Sequence, residues 1–118
     1  MDPLENRDAQ KQNELIKRAN TLNHFIDEWQ TIQHAKNLAP DTYRKQNDNT
    51  ARIRKSLGHL QITDISPATI IEFVNDIQKT RIYKGIEVKG VLKSILQIAV
   101  SRRIINHNPA SDLTGTYT

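Results

Sequence analysis

LAPDTYRKQNDNTARIRKSLGHLQITDIS, residues 38–66, contains a helix start, a helix stop and a second helix start. Pro40 followed by Asp41 and Thr42 opens a helix. The ring's missing N–H falls where no intrahelical bond is made, and the acid sits near the positive end of the helix dipole. Behind it, Tyr43, Asn47 (or Gln46), Thr50, Ile53 and Leu57 recur at helical spacing and form the inward stripe. Gly58 is expected to close the helix as a left-handed C′ residue. His59–Ile65 is short, β-branched and extended. Ser66-Pro67 then starts another helix, with serine as N-cap and proline at the first helical position. Nothing here alternates with the period of a half-buried strand, so the fold class is all-α.

The same period continues on both sides. Upstream, Leu15, Ala19, Leu22, Phe25/Ile26, Trp29 and Ile32 form an apolar series, and Thr21 as N-cap gives a firm helix over 21–36. Downstream, Ile70, Ile71, Phe73/Val74 and Ile77 mark a helix near 66–79, and Thr80–Gly85 reads as a loop. Val88, Val91/Leu92, Ile95/Leu96, Ala99 and Val100 mark a helix near 86–103. Asn106–Pro109 stops it, because a proline pushes the residue before it out of the helical region. The helices are expected near 21–36, 40–57, 66–79 and 86–103, with Trp29, Tyr43, Ile53, Phe73, Leu92, Leu96 and Ala99 inward. Residues 1–13 read as a flexible lead-in, 14–113 as the domain, and 114–118 as the start of a linker. The whole is a small four- to five-helix bundle.

Composition narrows the function. There is no cysteine among the 118 residues, which excludes disulfides and thiolate metal sites. No apolar run reaches membrane-span length, and MDPLENRDAQ is too polar for a signal peptide, so a soluble, cytoplasmic protein with no membrane partner is expected. The net charge of +4 is modest, but it is concentrated. Residues 40–60 hold 5 Lys/Arg against 2 Asp/Glu, and residues 81–103 hold 6 against 1, while the remaining segments are net acidic. Two basic helices brought together make a phosphate-binding face; left apart, they are ordinary solvated surfaces.

The order of these signals resembles a known family. T-Y-R at 42–44, LG…ITDI over 57–65, the AV of LKSILQIAV, and I-N-x-NPA over 105–110 follow one another as in the core-binding domain of tyrosine recombinases, the phage and prophage integrases. DPLENRDAQK resembles the segment that follows an arm-site domain in satellite-prophage-type integrases, and DLTG resembles the exit toward a catalytic domain. Both ends therefore look like cuts inside a longer protein. The resemblance implies a SAM-like helical domain that clamps double-stranded attachment-site DNA during integration or excision in a bacterial host cell. It also implies a tetramer of recombinase protomers in the full-length protein. Family catalysis uses a tyrosine nucleophile with arginines, a lysine and an H-x-x-R segment. None of His24, His34, His59 and His107 has Arg three residues on. Tyr43 falls on the core stripe, Tyr83 in a loop and Tyr117 in the linker, so this segment is expected not to be an enzyme and to need no cofactor.

On the second helix the stripe opposite the core is Lys45, Asn49 and Arg52, with Thr42 and Arg44 beside its start. The resemblance lays this helix in a major groove, where such donors meet base edges and phosphates. On the fourth helix Lys89, Lys93 and Gln97 recur at i, i+4 and i+8, with Ser94 beside them, and the resemblance again implies a groove. Without DNA, both stripes read as solvated faces. One of Arg102 and Arg103 is explained by the helix dipole. Trp29 reads as core or a domain contact, the histidines as surface or capping residues, and Asn108-Pro109 as a helix stop. Two other readings remain: a helical DNA-binding regulator, disfavoured by the extended HLQITDI connection, and a helical protein-interaction module, disfavoured by the segregated basic helices.

Overall fold

The computed structural model describes residues 20–112. Among them are four α-helices: α1 (Leu22–His34), α2 (Pro40–Leu57), α3 (Pro67–Gln78) and α4 (Ile82–Ser101). Single 3-10 turns lie at Ile62–Asp64 and Pro109–Asp112. Apart from an isolated antiparallel bridge between Thr21 and Gln61, no strand pairing occurs among the described residues. The all-α bundle expected from periodicity is what the chain forms. The lead-in, Leu15, Ala19, Tyr117 and the linker lie outside the described residues.

Helix α4 is the central element, packing against each of the other three. Its buried residues Val88, Leu92, Ile95, Leu96 and Ala99 meet Leu22, Phe25 and Ile26 of α1, Ile53 of α2, and Ile70 and Val74 of α3, all essentially sealed from solvent. Trp29 is buried as expected, whereas Phe73 is half-buried against the cluster. Ile32 departs from its expected place on the apolar stripe. It is 46% exposed, because the buried face of α1 continues from Trp29 to Gln33 at i+4, which leaves Ile32 beside that face.

Ser66 caps α3 by accepting from the Thr69 N–H at 3.2 Å, with Pro67 at the first position. Thr21 precedes α1 without a side-chain cap bond. Tyr43 is half-buried, and its phenol closes the α1–α2 corner. Its hydroxyl accepts from the Leu38 N–H at 2.8 Å and donates to the Gln33 carbonyl at 3.1 Å. In the inward set of α2, Gln46 and not Asn47 fills the inner position, bonding Gln33 at 3.0 Å while Asn47 is exposed.

Four boundaries differ from expectation. Gly58 is right-handed (φ −58°), so its role is not a left-handed cap. Its carbonyl accepts from the Asn23 N–H at 2.9 Å, and a Cβ there would stand 2.2 Å from Asn23 Oδ1. HLQITDI is not extended throughout; it turns at Gly58–Leu60, touches the start of α1, and buries Ile62 and Ile65. Helix α4 begins at Ile82, inside the expected loop, since Gly85 is buried where α4 closes on Val74 and Gln78 of α3. It ends at Ser101, ahead of Asn106–Pro109, through a left-handed Arg103 (φ 60°).

Candidate nucleic-acid interface

The basic helices α2 and α4 contact each other directly, and the contact is polar. Lys84 of α4 pairs with Asp48 of α2 and stands 3.8 Å from Glu87. Asn49 Nδ2 donates to Glu87 Oε1 at 3.1 Å. This corrects the outward placement of Asn49, which is 2% exposed and lies between the helices. Its Oδ1 is buried without a hydrogen-bond partner. Arg52 is half-buried, with Nε at 3.4 Å from Asp48 Oδ2. The Lys84 ammonium, hydrogen-bonded to Asp48, holds that carboxyl below its ordinary value of 3.8, with help from Arg52 and against partial desolvation.

The remaining α2 residues singled out from sequence are at the surface. Thr42 and Lys45 are exposed, and Arg44 makes only a solvent-exposed pair with Asp41 at 3.3 Å. Such pairs contribute little. Lys45 lines an open cleft of about 480 Å³ with Arg81, Ile82, Tyr83, Lys84 and Glu87. Tyr83 is therefore not in a loop but in the first turn of α4, 86% exposed.

A second open cleft, of about 390 Å³, lies between α1 and α4 and is lined by Trp29, Gln33, Lys36, Lys93, Ser94 and Gln97. It gathers three of the four α4 candidates. Lys93 is exposed, Gln97 accepts from Asn108 Nδ2 at 3.3 Å, and the Ser94 hydroxyl donates to the Gly90 carbonyl at 3.1 Å. Lys89 is half-buried and interacts within the chain. Sequence reasoning missed Lys36 and Gln33. Both lie at the end of the acidic segment, and only the α1–α4 crossing brings them beside Lys93.

Several polar residues act inside the fold. Arg102 is accounted for by an ion pair to Glu28 of α1 at 2.9 Å. Arg54 joins α2 to α1 through Asn23, Asp27 and Gln30. Asn108 does more than stop a helix: it is buried, donates to the Lys93 carbonyl at 2.9 Å and accepts from the Ala110 N–H at 3.0 Å. Among the described residues no group of three or more His, Asp or Glu side chains is placed to hold a metal ion. No described helix is long and apolar enough to cross a membrane.

The class that results is a small all-α domain with two open clefts lined by cations of α2 and α4, by Lys36 just beyond α1 and by Arg81 at the start of α4. The phage integrase central domain model matches residues 22–116. The chain belongs to that family, which gives it a DNA-binding role related to tyrosine recombinases. A solution NMR structure of a fragment (61–160) from Clostridium leptum superposes with a TM-score of 0.72 at 15% identity, covering 80% of this chain and 87% of that one. At that identity the likeness speaks for the fold alone. No curated protein matches the sequence.

Proposed function

We propose that this domain clamps attachment-site DNA during integration or excision of a mobile element, gripping the duplex mainly through phosphates. The observation that carries the reading is the placement of Lys45, Arg81, Lys36 and Lys93. They line two open clefts that both border α4, and none takes part in an ion pair among the described residues. Cations with no internal partner gain most from a polyanion, and each phosphate contact releases condensed counterions.

In this reading Lys93 and Lys36 hold one stretch of backbone, while Lys45, Arg44 and Thr42 hold another. Gln97 and Ser94 line the same cleft as Lys93 and Lys36 and add polar contacts there, and Lys89 and Arg52 flank the surface. Asn49 acts from behind, fixing Glu87. Residues 14–113 form the working domain, and 1–13 and 114–118 are connecting segments. The parent recombinase supplies the catalytic domain, acts in the bacterial cytoplasm and assembles as a tetramer on DNA. The segment itself is not an enzyme.

A salt titration of duplex affinity tests the grip. Lys36→Ala and Lys93→Ala should weaken binding to all sequences alike, and each should reduce the slope of log K against log salt by about 1. An unchanged slope in the double variant overturns the phosphate role. In the same samples, a covalent protein–DNA adduct through any tyrosine would overturn the non-catalytic reading.

A further inference from the structure

Among the described residues four large apolar side chains are well exposed, and three of them cluster in the first turns of α4: Ile82 (62%), Tyr83 (86%) and Ile86 (40%). Ile82 and Ile86 are i, i+4 neighbours on one helix face, and Tyr83 stands beside them. Single exposed hydrophobics need no explanation, but a cluster marks a contact surface. The core does not need these residues, since α4 already seals itself through Gly85, Val88 and Leu92.

The charges around the cluster identify what it meets. Ile82 and Tyr83 share their cleft with Lys45 and Arg81, both exposed and outside any ion pair among the described residues. Lys84, the third cation, is already engaged by Asp48 and Glu87. Tyrosine and arginine also occur in protein-facing patches, but lysine is depleted there, and in a DNA groove cations hold phosphates while apolar side chains meet base edges. Lys45 also belongs to the α2 surface proposed above to hold phosphate, so the cluster continues that surface. In the major groove the apolar feature available to such side chains is the thymine C5-methyl.

We propose that Ile82, Tyr83 and Ile86 form an apolar reading edge that packs on thymine methyl groups in the major groove, with Lys45 and Arg81 on the flanking phosphates. This rests on the DNA-binding reading and adds to it a base preference from residues that carry no hydrogen-bond code.

The test compares binding of the full chain to an A·T-rich duplex and to the same duplex with deoxyuridine in place of thymidine, which removes only the methyls. The wild-type chain should favour the thymine duplex by about fourfold for each methyl buried. Tyr83→Ser, and separately Ile82→Ser with Ile86→Ser, should abolish that preference while leaving the salt slope unchanged. These side chains are exposed, so both variants should retain wild-type helicity by circular dichroism. Wild-type binding with a normal salt slope but no thymine preference overturns this inference alone. So does a preference that survives both variants. Self-association of the wild-type chain in sedimentation, lost in the serine variants, identifies the cluster as a protein contact and also overturns it. A chain that binds neither duplex overturns the DNA-binding reading and this inference together.

Discussion

Gly58 and Asp48 show how much of this domain rests on single positions. A methyl at Gly58 would meet Asn23 Oδ1 at 2.2 Å and the Arg54 carbonyl at 2.6 Å, and Asn23 is itself held by Arg54. Gly58→Ala should therefore destabilise by about 1–3 kcal/mol in urea denaturation, as overpacking does. A neutral result would mean that the α1–α2 junction yields easily. The pH dependence of Asp48 follows from its lowered pKa. The fold favours its charged form, so the contribution is complete above the ordinary value of 3.8 and is lost as pH falls through the lower folded value. Asp48 is half exposed, which keeps the effect small. Asp48→Asn should narrow its stability gap to the wild-type chain as the solution is acidified, and a gap independent of pH would remove the Lys84 pairing as its cause. Neither the Gly58 clash nor the Asn49–Glu87 bond was legible in the sequence. A polar residue beside a basic stripe reads as solvent-facing until a carboxylate 38 positions away is brought against it.

At the scale of elements, legibility followed the local signals. Pro40, Ser66 and Pro67 set helix starts through backbone chemistry that needs no tertiary partner, and α2 and α3 begin where these residues place them. The end of α4 does not come from its local signal at Asn106–Pro109, since the helix closes earlier, at Ser101. The Ile104 N–H bonds the Ala99 carbonyl at 3.0 Å and the Arg103 N–H bonds the Val100 carbonyl at 2.9 Å, a Schellman closure built on an arginine where glycine is usual. Arg103→Gly should raise stability by about 1 kcal/mol, since a left-handed conformation is strained for a residue with a Cβ. An unchanged or lowered Tm would show that the arginine side chain contributes more than the strain removes. The final turn depends on Asn108, which donates to α4 and accepts from Ala110. Asn108→Ala leaves the buried Ala110 N–H unsatisfied and should destabilise by about 1–3 kcal/mol. Asn108→Asp keeps that acceptor but sets a buried carboxylate against the Lys93 carbonyl and Gln97 Oε1, and should cost at least as much as Asn108→Ala at neutral pH. A smaller loss for Asn108→Asp would place the main effect in the bond to Ala110.

For the whole molecule, the sequence placed the basic excess on two helices but could not say where the free cations would gather. That depends on α4 running past the other three helices, which brings Lys36 from the net-acidic first segment next to Lys93. Several other cations are occupied internally: Arg54 and Arg102 tie α1 to α2 and α4, and Lys84 ties α2 to α4. A fold that leaves Lys36, Lys45, Arg81 and Lys93 outside the ion pairs of the described residues keeps positive charges close together on its surface, and a bound polyanion relieves that repulsion. Duplex DNA should therefore stabilise the folded chain by mass action, by about 2.7 kcal/mol at a hundredfold excess over Kd. In a domain of this size that raises Tm by about 4–8 °C for each kcal/mol. The shift should shrink steeply with added salt, because salt weakens the phosphate contacts. It should also be smaller for Lys36→Ala with Lys93→Ala than for the wild-type chain at the same duplex concentration. Scanning calorimetry with and without duplex at two salt concentrations makes the comparison. A shift that ignores salt, or one that the double variant retains in full, would move the binding surface away from the α1–α4 cleft.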